Sequence, residues 1–98
     1  MNKYFILTEK LTSVQKNALT NALRGKFGFW HWLDDSWLVA TKEDKTAGDI
    51  YGELIESVPS IAHSRVVVFK VEGDISHRGR LKKRAWEWIR SSFSRGVQ

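Results

Sequence analysis

The stretch at residues 27–41, FGFWHWLDDSWLVAT, constrains this chain more than any other. It holds three of the five tryptophans, Trp30, Trp32 and Trp37, two of the five phenylalanines, and a single polar break, Asp34-Asp35-Ser36. Two short runs of aromatic and β-branched residues joined by an Asp-rich break predict a β-hairpin. Alternation places Phe29, His31 and Leu33 on one side of the first arm and Trp30 and Trp32 on the other. On the second arm, Trp37, Val39 and Thr41 oppose Leu38 and Ala40. A buried tryptophan covers roughly 150–250 Å². That much aromatic surface needs either a core or a contact partner.

The flanking sequence supplies a core. Tyr4, Phe5, Ile6 and Leu7 are a continuous apolar run within a strand predicted over residues 3–9, and continuity implies a central strand covered on both faces. Thr12-Ser13-Val14-Gln15 is a capping-box signature, with Leu11 placed as a hydrophobic staple. Val14, Ala18, Leu19, Ala22 and Leu23 share one helical face, and Gly25 is the expected C-cap. Beyond the hairpin, Thr46-Ala47-Gly48-Asp49 repeats the box with Asp in place of Glu or Gln. Ile50, Tyr51, Leu54, Ile55 and Val58 then recur at helical spacing until Pro59. Gly48 and Gly52 each cost about 1 kcal/mol relative to Ala, so tertiary packing must hold this helix. A loop at 60–64 leads to the strand Val66-Val67-Val68-Phe69.

The order strand–helix–strand–strand–helix–strand, joined by right-handed crossovers, predicts an α+β, ferredoxin-like βαββαβ domain over residues 1–75. Its four-stranded antiparallel sheet would carry both helices on one face. The first strand and the second hairpin arm would be central, with the other two strands at the edges. Residues 76–98 are expected to form a basic loop and a third helix docked on this domain. The helix is predicted over residues 81–93, where Leu81, Ala85, Trp88, Ile89 and Ser92 share a face, Trp86 and Phe93 lie to one side, and Lys83, Glu87 and Arg90 lie opposite. That stripe should dock on the free face of the sheet or on a second subunit.

Charge separates the same two regions. The chain has a formal net charge of +5. Residues 1–75 carry nine Lys or Arg against ten Asp or Glu. Residues 76–98 carry seven (Arg78, Arg80, Lys82, Lys83, Arg84, Arg90 and Arg95) against Glu87 alone. Such asymmetry points to an anionic partner, either nucleic acid or an acidic protein surface, with a solvated basic helix as the plainer alternative. Five cations between Arg78 and Arg84, with Gly79 among them and His77 and Ser76 before them, can follow a phosphate backbone. Trp86 is the expected stacking residue for unpaired bases, while Trp88 reads as core.

Other chemistry is thinly represented. Cysteine is absent, which excludes disulfides, thiolate zinc sites and a cysteine nucleophile and fits a reducing cytoplasm. The four-residue apolar run at the N-terminus is too short for a secretory or membrane-spanning segment, so the expectation is a cytoplasmic protein without membrane contact. His31, His63 and His77 are not at metal-ligand spacing, and His31 reads as a packed, hydrogen-bonded strand residue. Asp34 and Asp35 read as turn-stabilising through Asx hydrogen bonds rather than as a catalytic pair. No nucleophile elbow, dinucleotide fingerprint or phosphate-binding loop is present, and no cofactor is expected.

The pattern WHWLDDSWLV at residues 30–39, after YFILT and before VVVFKVEG and a C-terminal helix containing W-x-W, resembles the SinR-like family. These are small bacterial and phage proteins related to the small subunit of the CRISPR adaptation complex. The resemblance covers roughly residues 3–90. It implies the ferredoxin-like fold and a symmetric homodimer. For the CRISPR subunit and a related ribonuclease toxin it also implies metal-dependent nuclease activity, resting on an aspartate at the end of the first strand. Lys10 stands at that position here, and Glu9 is the weak substitute. Two lysines facing each other would repel a divalent ion, so the expected function is non-catalytic binding through Arg78, Arg80, Lys82, Lys83, Arg84 and Arg90. A protein-interaction module, such as a phage-encoded inhibitor or antitoxin-like partner, is the first alternative. A metal-dependent nuclease using Glu9 is the second.

Overall fold

The computed structural model describes residues 1–73 and 78–93. Among the sequence expectations, those for Ser76, His77 and Arg95, and for the side chain of Ser92, lie outside the described residues. In chain order the elements are β1 (Asn2–Glu9), α1 (Ser13–Leu23), β2 (Gly28–Leu33), β3 (Ser36–Thr41), α2 (Ala47–Ser57), a 3-10 turn (Pro59–His63), β4 (Arg65–Val71) and α3 (Lys83–Trp88), which runs into a π-turn (Ile89–Phe93). The fold is α+β: a four-stranded antiparallel sheet with three α-helices.

Strand order is β2-β3-β1-β4, so β1 and β3 are inside and the hairpin's first arm is an edge. β1 pairs with β3 through Tyr4 opposite Val39 and Ile6 opposite Trp37, and with β4 through Phe5 opposite Phe69 and Leu7 opposite Val67. Registers of this kind put directly opposed residues on one face. Tyr4, Ile6, Trp37 and Val39 therefore form one wall, and Leu19 and Leu23 of α1, Ile50 and Leu54 of α2, and Ile61 of the 3-10 turn close over it. Trp37 is wholly buried, and its Nε1 donates to Thr20 Oγ1 at 3.0 Å. Tyr4 is equally buried; its hydroxyl donates to the carbonyl of Lys45 and accepts from the Lys45 N–H at 3.1 Å.

Both capping boxes form. Thr12 Oγ1 accepts from Gln15 N–H while Gln15 Oε1 accepts from Thr12 N–H, and Thr46 and Asp49 make the same exchange. The shorter Asp thus closes the box in place of Glu or Gln, and burial of Ile50 and Leu54 in the core packs α2 against the sheet despite its two glycines. At the end of α1, Arg24 is the capping residue, and Gly25 follows it at φ 89°, a left-handed conformation that suits glycine.

Several sequence expectations need correction. Val14 is 75% exposed, so the buried face of α1 starts one turn later. Residues 60–64 are mostly a 3-10 turn anchored by buried Ile61 rather than a loop. β1 is not covered on both faces, because Leu7 is 41% exposed on the side away from α1 and α2. The third helix is shorter than expected as an α-helix, and its last turn widens into the π-turn, which carries Phe93 inward to stack on Phe5 at 5.5 Å.

The hairpin itself departs from regular alternation. Its two-residue turn, Asp34-Asp35, has negative φ at both residues, since Lys10 is the one non-glycine with positive φ among the described residues. Unprimed turns splay the flanking strands, unlike the primed turns that match their twist. The ladder duly breaks between Trp30 and Leu33. The aspartates do not make the expected Asx bonds. Asp35 instead pairs with Lys16 of α1 at 3.3 Å, and its carbonyl accepts from Thr8 N–H at 2.8 Å.

Candidate functional site

The basic segment is positioned by a small core on the sheet face opposite α1 and α2. There Trp30, Ala85 and Ile89 are buried together, with Leu38, Leu81, Trp86 and Trp88 packed around them. Trp30 Nε1 donates to the Ala85 carbonyl at 3.2 Å, which fixes α3 to the hairpin across 55 residues of sequence. Trp88 stacks on Phe93 at 5.8 Å and lies over Gly28, where a Cβ would stand 4.0 Å from the indole and 3.3 Å from the Ala40 carbonyl. Of the two places open to the third helix, the free face of the sheet is the one it occupies, against Trp30 of the hairpin.

With Ala85 and Ile89 turned inward, helical geometry turns Lys83, Arg84, Glu87 and Arg90 outward. All are exposed, as are Arg78, Arg80 and Lys82 in the segment leading to α3. Among the described residues, none of these six cations forms an ion pair. Four of the domain's other cations contrast with them. Lys16 meets Asp35, Arg65 meets Glu9 at 3.0 Å, and Lys70 meets Asp44 at 2.6 Å. Lys45 lies between Glu53 at 2.7 Å and Glu43 at 3.0 Å. Hydrogen bonds to Glu53 and then Glu43 hold the Lys45 ammonium above the ordinary lysine range, and the bond to Asp44 raises Lys70 in the same direction.

Trp86 is the stacking candidate that the sequence offers. It is half-buried in the cluster under α3 and contributes to packing. The exposed indole is Trp32, at 42% exposure, which pattern reading left in the hairpin as one more strand aromatic. Because the ladder slips after Trp30, consecutive residues Trp32 and Leu33 both line one open cleft, completed by Arg80, Leu81 and Lys82 and enclosing about 390 Å³. No sequence signal brings residues 32 and 80 together. The Asp-Asp turn hints only at a distorted hairpin end.

Glu9 lies at the end of β1, with its carboxylate engaged by Arg65. Lys10, just beyond, takes a left-handed conformation with φ 57°. Among the described residues, no group of three or more His, Asp or Glu side chains is arranged to hold a metal ion. His31 stacks face to face on Trp37 at 4.1 Å, and its Nδ1–H donates to the Ser36 carbonyl at 2.9 Å, so it is a packed strand residue. Among the described residues, no helix is long and apolar enough to cross a membrane.

No family model matches the chain, and no curated protein or solved structure matches it significantly.

Proposed function

We propose that this protein is a non-catalytic module that binds nucleic acid through Arg78, Arg80, Lys82, Lys83, Arg84 and Arg90. One observation carries the reading: these six cations cluster on one exposed segment and none has an ion-pair partner among the described residues, whereas in the body Lys16, Lys45, Arg65 and Lys70 are matched to carboxylates. Unmatched cations on one segment are what a polyanion can exploit, because each neutralised phosphate releases condensed counterions. Glu9, on which metal-dependent cleavage would rest, forms a surface ion pair with Arg65. The ferredoxin-like assignment belongs to the same proposal. The strand order and the core shared by α1 and α2 support it, with α3 as an addition on the other face. Kinship with the SinR-like proteins is part of the same proposal and rests on the resemblance of the hairpin sequence.

The test is a titration against labelled DNA and RNA at two salt concentrations. The expected log–log slope is about −0.9 per phosphate neutralised on duplex DNA and about −0.7 on single strands. Binding that is absent, or indifferent to salt between about 50 and 200 mM, overturns the proposal.

A second reading has its own support. Leu7, Val67 and Phe69 are exposed in adjacent register on the sheet face that α3 leaves open, and β4 is an edge strand. A row of this kind suits a protein partner, including a second copy of the chain as a homodimer. Sedimentation of wild type against Phe69→Lys separates the cases. A dimer that the substitution dissociates supports this reading, and a monomer throughout removes the homodimer.

A further inference from the structure

We infer that the cleft between the hairpin end and the segment before α3 is a binding site for an unpaired base of a single-stranded nucleic acid, with Trp32 as its stacking platform. The inference rests on the nucleic-acid reading above and sharpens it from polyanion to single strand. Three observations carry it. Trp32 is 42% exposed, although burying an indole is among the more favourable things a small domain can do, and the neighbouring Trp30 is buried. The cleft that it lines is about 390 Å³. That volume falls within the roughly 300–1,000 Å³ typical of small-molecule sites. Its other walls alternate in chemistry: Arg80 and Lys82 are exposed cations, and Leu81 between them is apolar and half-buried.

An open indole flanked by two free cations matches the two surfaces of a single strand. The ring takes the face of a base, and the cations take the phosphates on either side of it. A duplex keeps base faces stacked inside and offers only phosphates, so it can engage the cations but not the ring. An acidic polypeptide without aromatic residues, such as polyglutamate, likewise offers charge without a planar face. The slipped ladder after Trp30 makes the site possible. In strict alternation Leu33 would turn to the other face, and here it joins Trp32 in the same cleft. Asp34, exposed and next in sequence to Leu33, carries a carboxylate without an ion pair among the described residues, and it opposes phosphate binding at that end.

The experiment measures affinity of the full chain for a labelled 12-nucleotide oligothymidylate, a 12-base-pair duplex and polyglutamate at fixed low salt. Trp32→Ala should weaken oligothymidylate binding about 5- to 150-fold and leave duplex binding unchanged. Trp32→Phe should restore most of the loss, because a phenyl ring still stacks. Asp34→Asn should tighten oligothymidylate binding modestly. Equal losses on single strand and duplex, or no loss at all with Trp32→Ala, overturn the stacking site while the basic-segment reading stands. Wild type that binds neither nucleic acid overturns both. Polyglutamate bound as tightly as oligothymidylate, with neither weakened by Trp32→Ala, overturns the stacking site in favour of an acidic protein partner.

Discussion

The two faces of the sheet are closed by different means. One is sealed by two eleven-residue helices, each opened by a complete capping box, and its polar atoms at Tyr4 and Trp37 are hydrogen-bonded. The other is covered by six residues of α3 and a π-turn, and it leaves Leu7, Val67 and Phe69 in solvent. Charge follows the same division in part: Lys16, Lys45, Arg65 and Lys70 are matched to carboxylates, and none of the six cations around α3 is, among the described residues. Stability is therefore expected to reside mainly in the first face. The second keeps exposed rings and cations where a ligand can reach them.

Substituting Trp37 should test that division most severely. Trp37→Ala is expected to cost about 3–5 kcal/mol in denaturant unfolding, because a fully enclosed indole leaves a cavity and the Thr20 hydroxyl loses its partner. A loss below about 1 kcal/mol would mean that the two faces do not differ in the sense described.

Replacing Lys82, Lys83 and Arg84 together with Gln should leave unfolding free energy within about 0.5 kcal/mol, since none is ion-paired among the described residues. Nucleic-acid affinity at low salt should fall by about tenfold or more, and the salt slope should shrink by about three. A large loss of stability would show that the segment is structural rather than presented to a ligand.

Thr46→Ala should cost about 1 kcal/mol by removing the side-chain acceptor at the start of α2. The smallest effect concerns pH. The Thr46 N–H, and then the Thr46 hydroxyl exchange, hold the Asp49 carboxyl below its ordinary value of 3.8. A depressed folded pKa gives stability that is complete above the unfolded value and is lost as pH falls through the folded one. Wild type should therefore lead Asp49→Asn in thermal unfolding at neutral pH, and the lead should shrink in acid. A lead that is constant down to pH of about 2 would show that the carboxylate's charge contributes nothing to the cap.

Much of the fold was legible because its signals are local. Capping boxes, the stop at Pro59, the hairpin and the strands each depend on residues a few positions apart, and those elements formed. Misreadings arose where a residue's surroundings come from elsewhere in the chain. Val14 fits the helical stripe, but no element packs over it. Trp86 and Trp32 are equally aromatic in sequence, and only the slipped ladder and the seating of Ala85 on Trp30 decide which ring is the more exposed.

The hairpin stretch and the charge asymmetry are thus properties of the sequence itself: period-two aromatics must pack as a strand, and uncompensated charge must face solvent or an anion. Tertiary structure decided which indole stays open and what stands beside it. An unprimed Asp-Asp turn splays the hairpin end, and α3 docks 55 residues downstream of Trp30. Together these bring Trp32 to Arg80 and Lys82, a meeting that no local pattern encodes.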